Sequence, residues 1–155
     1  MTPITREWVN EALFALVSAL SGFNTLNRRL RHWSDVTAEQ CPAFFLSMGN
    51  QRAKQGASGE PTQWTWEYVG DLQVHSEDPN LAPSTLLNQY LDQIEAALKP
   101  PASPAMPPGY PATVQVLGDL TGRIRHAWIT EVETDEGVLG PRAVATFRIE
   151  VLVIQ

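Results

Sequence analysis

An α+β domain is the fold class that the sequence predicts: a mixed, largely antiparallel sheet of four to five strands with two main helices packed on one face. Three observations predict it. Two segments carry apolar residues at three- and four-residue steps, and two long segments alternate strictly between apolar and polar residues. The strand-like segments also follow one another in hairpin-like succession, the order expected when helices are segregated to one face of an antiparallel sheet.

The first helix is predicted over about Thr5 to Ser21. Val9, Leu13, Leu16, Val17 and Leu20 form one stripe, Thr5 is a natural N-cap, and Gly22 suits the left-handed position after the helix end. The stretch FNTLNRRLRHW shows no clear period, and SDVTAEQ reads as turns. CPAFFLSMG, bounded by Pro42 and Gly49, reads as a short buried strand. NQRAKQGASGEP lacks large apolar residues and reads as a mobile surface loop. From Trp64 to Val74 the even positions are apolar or glycine, and the odd positions are polar except Val69. One face of that strand is therefore buried and the other wet. Gly70 is the expected place for a bulge or bend. A second helix is predicted from a Ser84 cap to Pro100, with Leu87, Tyr90, Leu91, Ile94 and Leu98 as its stripe. The proline-rich PPASPAMPPGYP, residues 100–111, is a stiff connector inside the domain or a docking segment. Arg123 to Val132 and Arg142 to Val153 complete a hairpin around the acidic connection ETDEGVLGP.

At 155 residues the chain fits one domain, 1–155, large enough to bury a core without disulfides or metal. No apolar run approaches the roughly 20 residues of a membrane span, so no membrane partner is expected. Glu7 and Glu11 interrupt the N-terminal apolar segment, which reads as an amphipathic helix and not a signal peptide; the expected site of residence is inside the producing cell. The single cysteine excludes an internal disulfide and fits a reducing compartment. A net charge of −6 argues against a general nucleic-acid binder. The charges are uneven: Arg28, Arg29 and Arg31 crowd one stretch, and Glu131, Glu133, Asp135 and Glu136 another.

Candidate chemistry is sparse. Cys41 has His32 and Asp35 nearby in sequence, the elements of an activated thiol, but it adjoins Pro42 at the start of an apolar strand, where cysteine serves as a small hydrophobe. His75 with Glu77 and Asp78 is the one metal-like grouping, and it lacks HxH or HExxH spacing. His126 falls in register with Ile124 and Trp128 and reads as a core or interface residue. Trp64 and Trp66 offer a stacking face for bases, sugars or a small ligand, or alternatively core packing beneath a helix. No phosphate-binding glycine motif and no GxSxG occurs. The expectation is a non-enzyme without cofactor or metal; a small monomeric ligand- or peptide-binding module using the aromatic strand face is the rival.

Taken in order, NRRLRHWSDV, EQCPAFFL, the long alternating strand, PSTLLNQYLDQIEAAL, VQVLGDLTGRIRHAWI and VATFRIEVLV resemble the tail terminator proteins (also called tail completion or minor tail proteins) of long-tailed bacteriophages of the lambda type. The resemblance covers about Leu26 to Val153. It implies a small α+β subunit of the virion tail, assembled in the host cytoplasm into a hexameric ring. Such a ring caps the tail tube, ends its polymerisation and offers the head-attachment surface. The implied partners are further copies of the chain, the tail tube protein and a head-completion or connector protein. DNA passes through the lumen without sequence-specific contact. Ring closure needs heterologous contacts, for which charge separation is suited. The candidate contact residues are Arg28, Arg29, Arg31, Arg52 and Lys54 on the basic side, and Glu131, Glu133, Asp135 and Glu136 on the acidic side.

Overall fold

A computed structural model describes residues 4–99, 117–119, 121–137 and 140–155. The expected connector at 100–111 lies outside them. The elements run α1 (Arg6–Ser18), β1 (Thr25–Asn27), β2 (Ala43–Lys54), β3 (Gln63–His75), α2 (Pro83–Leu98), β4 (Ile124–Gly137) and β5 (Gly140–Ile154). The five strands form one sheet in the order β1-β2-β3-β5-β4. Only the β1–β2 pair is parallel. This is the α+β fold that the sequence predicts.

The main core lies between the sheet and the two helices. Val9, Leu13 and Val17 of α1 and Leu87, Ile94 and Leu98 of α2 are buried on it, with Leu16, Tyr90 and Leu91 partly covered at its margin. From the sheet come Trp66, Tyr68, Leu72 and Val74 of β3, and every second residue of β5 from Ala143 to Val153. Thr5 caps α1, its hydroxyl oxygen accepting from the Trp8 N–H at 3.1 Å. The helix stops at Ser18, earlier than expected, because the chain tightens: Leu20 N–H donates to the Val17 carbonyl. Gly22 has φ +102°, but it ends the turn after the helix and not the helix itself. The N-cap of α2 is Ala82, not Ser84, because Pro83 occupies the first helical position, where its fixed φ and missing N–H cost nothing.

Gly70 marks no bend. The β3–β5 register runs unbroken from Gln63–Ile154 to His75–Arg142, and Gly70 faces Phe147 directly across the strands. The Phe147 ring lies where a side chain at position 70 would go. The expected mobile loop after Gly49 is also corrected. Asn50–Lys54 belong to β2, which passes an irregularity between Met48 and Gln51 and then pairs with Gln63–Trp66. The acidic connection is shorter than expected for the same reason: Glu133–Gly137 are strand residues of β4.

A parallel pair needs a crossover of a dozen or more residues, and the chain between β1 and β2 supplies it on the face opposite the helices. There Val36, Cys41, Ala43 and Phe45 form a second, small core. The Arg31 guanidinium sits 5.6 Å from the Phe45 ring centroid, and Gln73 donates its side-chain amide to the Arg31 carbonyl. This crossover covers the end of the sheet at which β2 begins. The other end of that face stays open.

Candidate assembly surfaces

Two strand edges and the open half of one sheet face carry charged and aromatic groups that the core does not absorb. On β4 an irregularity between Ile124 and His126 separates two residues expected to share a face. Ile124 is buried under the helices, whereas His126 and Trp128 lie on the open face, their rings stacked at 3.6 Å. The His126 Nε2 is 3.2 Å from Glu150 Oε1, and Trp128 remains 49% exposed. Beside them, Arg148 bridges two carboxylates across three strands, 2.7 Å to Glu67 and 3.2 Å to Glu131.

The outer edge of β4 carries the acidic cluster. Glu131, Glu133 and Asp135 pair with Arg148, Thr146 and Val144 and share the face away from the helices, while Val132, Thr134 and Glu136 alternate onto the helix side. All six are exposed, Val132 at 44%. The opposite edge is basic. β1 covers β2 only at Ala43–Phe45, and beyond it Arg52 and Lys54 are exposed, pairing with Thr65 and Gln63 on the open-face side. Neither forms an ion pair among the described residues.

The arginine run does not form one patch. Arg28 holds Glu7 in a two-pronged ion pair, and this hydrogen bonding draws the Glu7 carboxyl below the usual carboxylate range, against a smaller opposing effect of desolvation. Arg31 packs over Phe45, and of the three only Arg29 is exposed. Sequence spacing alone could not distinguish these three environments.

The other candidates sit as follows. Cys41 is buried, and burial pushes its thiol up, against a smaller pull from Arg142; a thiol so placed is a poor nucleophile. His32 bonds Ser34 at 2.7 Å. Among the described residues no three His, Cys, Asp or Glu side chains converge as a metal site. Trp66 is fully buried and Trp64 half-buried, with the Arg6 guanidinium 4.8 Å from the Trp64 ring centroid and 5.0 Å from that of Trp66. The aromatic strand face of the rival reading is thus occupied by the chain itself.

No protein-family model matches the sequence, and no curated protein matches it. Among solved structures, a chain of the virion of a native gene transfer agent particle aligns with a TM-score of 0.48 at 10% identity, covering 95% of this chain and 92% of that one. A likeness of that degree transfers no role.

Proposed function

We propose that this chain is a structural protein of a phage-like virion, and more specifically a tail terminator: a subunit that joins further copies in a ring, caps the tail tube, ends its polymerisation and presents the surface to which the head attaches. It works without catalysis or cofactor. What supports this is the way the terminator-like segments lie on one sheet. EQCPAFFL runs into β2, PSTLLNQYLDQIEAAL is α2, and VATFRIEVLV is β5, while the exposed surface includes two strand edges of opposite charge. Opposite patches on opposite sides of one subunit are what a head-to-tail contact requires. The buried thiol of Cys41 and the covered Trp66 favour this reading over a thiol enzyme or an aromatic binding module.

Removing the gene from the replicon that encodes it tests the proposal. Electron microscopy should then show tails of uncontrolled length and unattached heads, both corrected by the protein supplied in trans. Tails of normal length joined to heads in its absence would overturn the assignment.

A further inference from the structure

We infer that copies of this chain join by sheet extension: β4 of one copy runs antiparallel along the outer edge of β2 of the next, with Glu131 opposite Lys54 and Glu133 opposite Arg52. The inference rests on the ring reading and assigns its contact.

Strand edges offer unpaired backbone N–H and C=O groups, which a second chain can satisfy. Among the described residues nothing pairs with the outer side of β4, or with β2 beyond the stretch that β1 covers. The charges then restrict the choice. Arg52, Lys54, Glu131 and Glu133 all stand on the sheet face away from the helices, so the pairing places opposite charges on one face with no side chain reversed.

The register also fits. Through β3 and β5, Arg52 is level with His126, joined by Thr65 and Leu152, whereas Glu133 is level with Phe45, joined by Thr146 and Asp71. Bringing Arg52 of one copy to Glu133 of another therefore displaces the neighbouring sheet along its strands by the separation of Thr65 and Asp71, about 20 Å at roughly 3.3 Å per residue. The repeat across β2, β3, β5 and β4 is about 19 Å at roughly 4.8 Å per strand. Together they give a strand tilt of about 45°, at the upper end of the roughly 35–45° that closed sheets adopt. A flat sheet would need no such displacement.

General handedness rules give the same direction. A β3–α2–β4 connection of the usual right hand places β4 to the right of β3, seen from the helix side with β3 pointing up. With the helices outward and the strands tilted in the right-handed sense of sheet twist, the next copy moves toward the β4–β5 turn, as the ion pairs require. In this register the tip of the neighbour's β4 ends beside Met48, because Glu136 is level with Val74 and Met48 with Tyr68. Ala43–Phe45 are left to β1, so the incoming strand meets β1 end to end without overlap.

The test mixes two populations of the full chain, each with one new cysteine, under mild oxidation; the buried Cys41 does not compete. Arg52→Cys with Glu133→Cys should give at least tenfold more inter-chain disulfide than Arg52→Cys with His126→Cys, which reports an unstaggered register. In parallel, Arg52→Glu with Lys54→Glu should abolish assembly in sedimentation, and adding Glu131→Lys with Glu133→Lys should restore it. Preferential cross-linking of the 52/126 pair overturns the register. Rings that form without either cross-link and ignore the charge reversals overturn the edge contact while leaving the ring reading intact. A wild-type chain that stays monomeric at every concentration overturns both.

Discussion

Gly70→Ala should destabilise the subunit through one contact. An added Cβ would lie 2.3 Å from Phe147 Cζ, 2.5 Å from Cε2 and 2.8 Å from Cε1, so the ring would have to retreat by more than about 1 Å to reach ordinary contact. It has little room to do so. Phe147 is fully buried, and its ring stacks with that of Phe44 at 6.0 Å and 22°. Overpacking a closed core costs about 1–3 kcal/mol, and three clashing ring atoms argue for the upper half. The lower backbone entropy of alanine in a strand returns about 0.5–1 kcal/mol. The net loss is then about 2 kcal/mol, a fall in Tm of about 4–8 °C for a chain of this size. Urea denaturation of Gly70→Ala, Phe147→Leu and the double variant measures the coupling. If the clash is the cause, the double variant should lose less than the sum of the singles by at least about 1 kcal/mol. Effects that add within about 0.5 kcal/mol would refute the reasoning.

Two further outcomes follow from the core and the face that the crossover covers. Trp66→Ala should cost about 3–5 kcal/mol in thermal or urea unfolding, whereas Trp66→Phe should cost much less, because the buried indole N–H has no hydrogen-bond partner among the described residues. Asp71→Asn should stabilise the protein at neutral pH: burial raises the Asp71 carboxyl, and the hydrogen bonds from Gln73 and Thr146 only partly offset this. A raised folded value means that ionised Asp71 opposes folding. The advantage of the Asp71→Asn variant should therefore be full above the folded pKa and fade as pH falls through it toward the unfolded value, which unfolding curves from about pH 7 down to about pH 3 would display.

The sequence was most legible where one face of an element is buried and the other wet. β3 and β5 alternate because each pair of residues divides between the helix-covered core and the opposite face, and α1 and α2 show their stripes for the same reason. The misread segments lack that contrast. Gln51–Lys54 and Glu131–Glu136 are exposed on both faces, so no period marks them, and their strand character comes from pairing with β3 and β5. β1 is three residues long and is defined by its register with Ala43–Phe45. The same logic hid the candidate surfaces. Arg52 and Lys54 were legible as basic residues but not as a strand edge, and nothing local to Arg28 shows that Glu7 neutralises it.

The edge charges also decide which pairings the proposed contact must exclude. A long uncovered strand is a template for any other strand, its own copy included. Two β4 edges brought together with Glu131–Glu136 overlapping would oppose carboxylates, and two β2 edges overlapping at Arg52–Lys54 would oppose these bases with one another. Like charges directly across a strand pair are destabilising. Both self-pairings would be two-fold contacts that consume the same edge on each partner and stop at a dimer. The β4–β2 pairing joins the acidic stretch of one copy to the basic stretch of the next, and it leaves each copy with one edge of each kind to offer. In the proposed contact, acid on one edge and base on the other would thus disfavour the dimer and favour a repeating contact, which closes when the rotation between copies divides a full turn.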